Sequence, residues 1–408
     1  MSMLSDVLLA PRASEAPRTV ESRPPAAPGV RADIVSREEL AGLPYWHAAF
    51  AGQRKDRRYY ELVEDTLHPE FAHRYCVVRD AQDQAIAVQP FFLLDQDVLA
   101  GTGERVSTLI ARVRKLWPRF LTMRTVMVGS VAGEGHLDGD DATAQRSHAP
   151  LIAQAILDHA KRERAGLVVF KEFPSEYRDA MAPLRDLGFT RVPSMPMTKL
   201  SIDYADFDDY TRRGLTGWQR RDLNRKFRQA EKFDPIKLEV VHDLAPYIDE
   251  IYPLYLAVYA RSKLHFEKLS KEFFLGLAKR MPEKVRFFLW RQNGKIVAFT
   301  YCMVNGDAVY GEYIGFDYDV ALKLHLYHQA FRDIVNWAIK NGYKWFRSSG
   351  LNYDPKLHLR HVLDPLDLYV KHTSPLINFG LARALPYLEP THNDKTLSKF
   401  PNYKDLWG

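Results

Sequence analysis

The sequence predicts an α/β fold of mixed sheets, arranged as two tandem domains behind a disordered N-terminal tail. Three observations support this reading. Hairpin signals, apolar runs flanking a short polar turn, occur in both halves of the chain, at 74–94 and at 285–314. In each half a helix-period segment and then a short apolar strand follow the hairpin, the alternation of a sheet flanked by helices. The chain of 408 residues, 46% hydrophobic and 26% charged, has the length and composition of two or three folded domains.

Residues 1–31 are rich in Pro, Ala, Arg and Ser and bury too little apolar surface to fold, so a disordered tail is expected there. A helix is expected near 37–50. The runs 74–79 and 85–94 flank Asp80-Ala-Gln-Asp-Gln84 as the first hairpin. Between it and a strand at 125–128 lies ERVSTLIARVRKLWPRF, residues 104–120. Val106, Leu109, Ile110, Val113 and Leu116 fall on one helical face, with Arg105, Arg112, Lys115 and Arg119 toward the other. That pattern fits a core-packed helix with a solvated basic face, or an interfacial helix on an anionic membrane surface. Gly129-Ser-Val-Ala-Gly133-Glu-Gly135 lacks the phosphate-binding fingerprints and reads as a simple loop, and the carboxylates of 136–141 as a solvated turn. Helices at 149–162 and 177–187 enclose a strand at 166–170, with Gly188 ending the second. The first domain is expected over 32–205 and the second over 206–408.

The second domain opens with a helix at 218–232 whose Arg221, Arg225, Arg228 and Lys232 form a basic stripe, either a solvated face or a phosphate contact. A helix at 251–259 runs into the loop Arg261-Ser-Lys-Leu-His265-Phe266-Glu267, and another helix covers 273–279. Strands at 285–291, 295–304 and 308–314 are joined by turns at Gln292-Asn293-Gly294 and Asn305-Gly306-Asp307, where Asn-Gly readily takes positive φ. Leu324, His328, Phe331, Val335 and Ala338 then recur at helical spacing. Asp317 or Asp319 is the expected N-cap and Gly342 the expected C-cap. A strand at 344–348 and a polar loop follow.

A net charge of +6 is mild for this length. It fits anionic partners such as CoA, a carrier protein, tRNA or a membrane surface, and does not call for DNA. Cys76 and Cys302 sit inside apolar runs and form no disulfide framework, which points to a reducing, cytoplasmic compartment. No apolar run approaches the length of a membrane span, and the N-terminus lacks the basic region of a signal peptide. The protein is expected in the cytoplasm, peripheral on the inner face of the membrane if it acts there. His325/His328 and His358/His361 are two helically spaced pairs, yet no zinc-type spacing accompanies them, so no metal is expected.

The order hairpin, bend, long helix, strand and polar loop over 295–361 resembles the core of GNAT-type acyltransferases, and within them the FemAB-like, peptidoglycan-type branch. Tyr313-Ile314-Gly315-Phe316-Asp317, the helix ending Trp337-Ala-Ile-Lys-Asn-Gly342-Tyr343, and Gly350 with Tyr353 and Lys356 carry the resemblance. It also reaches the helix at 220–232. It implies an N-acyltransferase with no tightly bound cofactor, drawing its acyl group from acyl-CoA or an acyl carrier protein. Relatives often place glycine at the mouth of the long helix, where backbone amides cradle a phosphate. Here Leu322-Lys323-Leu324-His325 stands there, which points to an unusual donor pose. In the resembled families the helix at 220–232 borders the cleft. Arg221, Arg225, Lys323 and His325 are therefore the candidate donor-binding residues.

Acyl transfer from a thioester to an amine needs a base for the ammonium proton and donors for the tetrahedral oxyanion. Glu312 is the first candidate base. Among aromatic neighbours its pKa is expected to rise by desolvation, and GNAT enzymes often use a carboxylate on the corresponding strand. Strand alternation places Tyr310, Glu312 and Ile314 on one face and Tyr313 on the other. The plain alternative is an ion-paired edge carboxylate. His265 is a second candidate base, or a buried structural histidine. Lys356 resembles the lysine that peptidoglycan-type relatives hold near the transferred acyl group and would stabilise the oxyanion, with Tyr353 beside it. A solvated loop lysine is the alternative. Tyr310, Tyr313, Glu267 and Asp317 complete the site as candidate substrate-binding residues.

The basic amphipathic stretch 104–120, the aromatic helices and an amphipathic segment at Pro375–Leu388 suggest a greasy acceptor presented at a membrane. A sphingoid base acylated to a ceramide is the concrete version, a reaction that similar GNAT-type proteins carry out in bacteria. Two rivals remain. One is a Fem-type transferase that uses aminoacyl-tRNA on a peptidoglycan precursor, against which the second domain shows no coiled-coil insertion. The other is a non-catalytic binding protein on a GNAT scaffold.

Overall fold

The computed structural model describes residues 29–67, 71–97, 122–262 and 266–408. The tail up to residue 28, the basic stretch 104–120 and His265 lie outside the described residues. Arg31, expected in the tail, already opens a strand.

In chain order the N-terminal half comprises β1 (Arg31–Val35), α1 (Arg37–Ala41), α2 (Arg57–Thr66), β2 (Ala72–Arg79), β3 (Ala85–Asp97), β4 (Thr122–Val128), α3 (Ala142–Arg162), β5 (Leu167–Pro174), β6 (Thr190–Pro193) and β7 (Met197–Ser201). The C-terminal half comprises α4 (Phe207–Arg213), α5 (Gly217–Ala230), β8 (Lys237–Val241), α6 (Ile248–Tyr259), α7 (Lys271–Arg280), β9 (Val285–Gln292), β10 (Lys295–Asn305), β11 (Ala308–Phe316), α8 (Tyr318–Ala321), α9 (Leu326–Lys340), β12 (Trp345–Ser348), α10 (Tyr353–His358), β13 (Val362–Asp364), β14 (Leu366–His372) and α11 (Pro375–Leu388).

Local chemistry explains these boundaries. Asn293 (φ 50°) and Gly294 (φ 82°) turn β9 into β10, and Gly306 (φ 54°) turns β10 into β11. Residues 296–304 of β10 are buried without a break, as expected of a central strand covered on both faces. Asp317 caps only the short α8, accepting from the Asp319 N–H at 3.1 Å, and α9 begins later, after His325. Gly342 (φ 80°) follows α9 and donates to the Ile339 carbonyl at 3.0 Å, a glycine end to the helix. The helix expected at 177–187 is broken into short turns, with Pro183 inside.

Two seven-stranded sheets result, in the orders β1-β2-β3-β4-β5-β14-β6 and β13-β7-β12-β11-β10-β9-β8. Read from opposite ends, they have the same plan. In each, a run of four antiparallel strands, β1 to β4 and β8 to β11, precedes a helix, and the next strand pairs in parallel, β5 on β4 and β12 on β11. The chain is thus a tandem repeat of one mixed α/β unit. The sixth position of each sheet is filled from the other half: β14 inserts between β5 and β6, and β7 pairs with β12 and β13. The expected boundary at 205/206 therefore does not separate the sheets. Element order shows which strands neighbour in sequence, not which sheet takes an arm that follows them.

One apolar cluster spans both sheets. Tyr59, Leu62 and Phe92 of the first half pack with Ile251, Phe273, Phe274, Phe299 and Tyr301 of the second. Burying each such side chain contributes about 1.5–3 kcal/mol. Polar ties flank this core, with Lys284 Nζ 2.7 Å from Asp56 and Arg58 donating to the Arg280 carbonyl at 2.8 Å.

Candidate active site

The site forms where β11 and β12 part. Their parallel pairing ends at Gly311↔Ser348, yet β11 runs on to Phe316. The gap opens a cavity of about 860 Å³. Gly311–Ile314 of β11 and 348–352, the end of β12 with the loop after it, form two of its walls, and Tyr327, Phe331 and Ile334 of α9 its apolar flank. Glu312 and Lys356 both lie in the lining. The free edge of β11 leaves backbone groups available to an extended ligand.

Glu312 sits at a β-bulge. Tyr301 pairs with Tyr313 and Cys302 with Gly311, so Glu312 is the extra residue of β11. The bulge resets the alternation. Tyr310 and Tyr313 both pack toward the interdomain core, whereas Ile314 packs on the α9 side. The expectation that Tyr310 and Ile314 share a face opposite Tyr313 is therefore corrected, because one extra residue reverses every face beyond it.

The surroundings of Glu312 are not only apolar. It accepts a hydrogen bond from the Arg54 guanidinium, which also donates to Glu134. Lys55 Nζ donates to Glu134 at 2.8 Å, and His136 Nε2 lies 3.2 Å from the same carboxylate. Arg54 stacks over the Tyr310 ring at 4.2 Å. The cation opposes the effect of burial on Glu312. Burial and the neighbouring cations push His136 down to about 3, so it is neutral.

Lys356 is not a solvated loop lysine. It is 4% exposed, and Nζ donates to the Leu351 carbonyl at 2.9 Å and to the Ser349 carbonyl. Burial lowers its pKa to about 7. An ammonium has three donors, so one remains for a ligand in the cavity. Leu351 (φ 69°) and Asn352 (φ 48°) hold the loop that places these carbonyls in a backbone region that non-glycine residues rarely take.

The remaining sequence candidates lie at varied distances from the cavity. Tyr313 lines it, stacks on Tyr301 at 5.9 Å and donates to Glu267, whose pKa is raised by burial. Tyr353 is fully buried and donates to the Pro196 carbonyl at 2.8 Å, outside the lining. Asp317 is a cap ion-paired to Lys295 at 2.7 Å. Partial burial acts to raise its pKa, and the Lys295 contact outweighs it. Arg221, Arg225 and Lys323 are exposed, and Arg225 pairs with Asp222 at 2.6 Å. His325 faces Gln229 at 2.9 Å and His328 faces Lys226 at 3.0 Å, so α5 and α9 hold each other through these residues. None of these four donor-binding candidates lies in the cavity lining. Among the described residues no His, Cys, Asp and Glu cluster could hold a metal.

Sequence reasoning missed Arg54, Lys55, Glu134 and His136. The run Arg54-Lys-Asp-Arg-Arg58 looks solvated, yet Arg54 and Lys55 are buried. Glu134, His136 and Asp138, expected in a loop and a solvated turn, are also buried. Asp138 accepts from the Phe50 and Val88 amides at 3.1 and 2.9 Å, which holds the turn inward. The glycine density of 129–135 is the signal that could have found them. Gly133 (φ 82°) packs so closely on Lys55 that a Cβ would stand 2.0 Å from Nζ.

Residues 218–356 match the family described as Acetyltransferase (GNAT) domain. That part of the chain, about a third of it, is therefore similar to the GNAT acetyltransferase domain. A curated protein of Mycobacterium tuberculosis named "Putative 8-amino-7-oxononanoate synthase 2" is 23% identical over 359 residues, covering 84% of this chain and 46% of that protein. The chain thus spans about half the length of the curated relatives it matches. Among solved structures, L-PGS of Bacillus licheniformis superposes with a TM-score of 0.50 at 14% identity, covering 85% of this chain and 96% of that one. That likeness shows the shared fold. A tandem GNAT protein from the clavulanic acid biosynthesis pathway gives a TM-score of 0.47 at 9% identity, over 85% and 99% of the two chains. No helix among the described residues is long and apolar enough to cross a membrane.

Proposed function

We propose that this protein transfers a long acyl chain from an acyl thioester, acyl-CoA or acyl carrier protein, to the amine of a long-chain lipid such as a sphingoid base at a membrane surface. The observation that carries the reading is the cavity itself. It is a largely apolar chamber of about 860 Å³ with Glu312 and Lys356 in its walls. Its volume is in the range of sites that enclose a small-molecule ligand. Glu312 takes the ammonium proton of the acceptor, directly or through a water. Lys356, as the ammonium, donates to the oxyanion of the tetrahedral intermediate. The thioester arm lies along the free edge of β11. Helix α11 supports the membrane part of the reading, because Leu376, Phe379, Tyr387 and Leu388 are all more than half exposed on it.

The test is to feed the purified protein palmitoyl-CoA and a sphingoid base and to look for the N-acyl lipid by mass spectrometry. Product with the native protein, and none with Glu312→Gln, is the expected result. Transfer only to water-soluble amines would sink the lipid reading. Changed muropeptides in cells lacking the protein, with unchanged lipids, would favour the aminoacyl-tRNA-dependent reading.

A further inference from the structure

We propose that Arg54 is a positioning residue of the acyl-transfer site: supplied by the N-terminal domain, it bridges Glu134 and Glu312 and holds the Glu312 carboxylate ionised at the bulge. The inference rests on the reading of Glu312 as base, and it makes the first domain part of the reactive centre.

The geometry separates this bridge from the other ties between the halves. Arg54, Glu134 and Glu312 side chains are 3%, 6% and 7% exposed, whereas the Lys284–Asp56 and Arg58–Glu283 ties lie nearer the surface. The apolar core already joins the two sheets, so a buried cation is not needed for that. A planar guanidinium can fork two carboxylates, and stacking on Tyr310 fixes its plane. Glu134 also accepts from Lys55 Nζ at 2.8 Å, so Arg54 is not its sole partner, although burial and Arg54 hold the Lys55 pKa well below its ordinary value.

The other groups around the bridge alter this balance little. On the N-terminal side, His136 is neutral, and Lys171 pairs with its neighbour Glu172 at 2.6 Å. The buried Tyr59 hydroxyl donates to the Ala132 carbonyl at 3.1 Å, and burial holds this phenol neutral. On the C-terminal side, Tyr301 and Tyr313 are neutral phenols, and Glu267 is bound by Tyr313. Arg347 stands 5.5 Å from the Tyr310 ring and is itself paired with Asp364 at 3.1 Å. An opposite charge in contact lowers a carboxylate pKa by about 1–3 units, so Arg54 is the group placed to set the ionisation of Glu312.

The experiment follows the Glu312 carboxyl directly by carbon-13 NMR of glutamate-labelled protein, with Glu312→Gln assigning the signal. In Arg54→Gln its titration should move up by about one unit, a tenfold change in proton affinity, and Arg54→Lys should return most of it. Glu134→Gln should move it the opposite way, since it frees more of the Arg54 charge. That variant carries the test if Arg54→Gln does not fold. With palmitoyl-CoA and a sphingoid base, the acid limb of kcat/KM should follow the same shifts. A Glu312 signal unmoved in folded Arg54→Gln or Glu134→Gln overturns the proposal, and Arg54 is then only structural. Full activity of Glu312→Gln overturns the base reading itself, whatever the titrations show.

Discussion

Asp367, on the strand that returns to the first sheet, is fully buried and accepts from Arg178 Nε at 2.6 Å. Arg191 donates to the same carboxylate at 2.8 Å, and Arg178 also donates to the Leu406 carbonyl at 3.1 Å. One carboxylate therefore pins β14 between β5 and β6 and anchors the C-terminal segment. Asp367→Ala leaves two guanidinium groups without it and should cost about 3 kcal/mol. Urea unfolding measures this, and a loss below about 1 kcal/mol would show that the strand exchange does not depend on the pair.

Lys356 has opposite consequences for stability and for activity. Between about 7 and its ordinary value of 10.5 the unfolded chain holds a proton on this side chain that the folded chain has released. Stability then rises with pH across that window. Lys356→Met should remove that rise and raise the melting temperature at neutral pH, while abolishing acyl transfer. If the ammonium is the form that acts, native turnover should decline as pH climbs through about 7. Turnover that instead climbs through this pH would make Lys356 a base.

Two glycines with the same φ of 82° separate backbone strain from contact. Around Gly294 nothing lies within 4 Å of an added Cβ, whereas at Gly133 it would stand 2.0 Å from Lys55 Nζ. Gly294→Ala should cost about 1–2 kcal/mol, the penalty of left-handed backbone alone. Gly133→Ala should cost more and should also lower turnover, because it displaces Lys55 from Glu134. Equal melting temperatures for the two variants would refute the close packing.

Helix α11 is the exposed apolar element that bears on where the protein works. If it lies on a membrane, replacing Leu376, Phe379, Tyr387 and Leu388 by serine should abolish flotation with anionic lipid vesicles and leave the fold unchanged. These exposed side chains belong to none of the hydrophobic clusters among the described residues, so circular dichroism should be unaltered. Undiminished flotation would move membrane contact elsewhere on the chain.

Much of this protein follows from local chemistry that a linear reading captures. The turns at Asn293-Gly294 and Gly306, the unbroken apolar run of β10 and the helical period of α9 each depend on residues close together in the chain. From these come the mixed α/β class and the tandem repeat, and they set Glu312 and Lys356 on the two segments that line one cavity. Long-range packing settles the remainder. The exchange of β7 and β14 depends on which sheet edge is free, which no local pattern encodes. The bulge at Glu312 is a mismatch between two strands and cannot be seen in one of them. Arg54 and Lys55 look like solvated charges until glycines some eighty positions away let backbone and carboxylate close around them. Burial makes those charges matter, and burial is a property of the assembled fold.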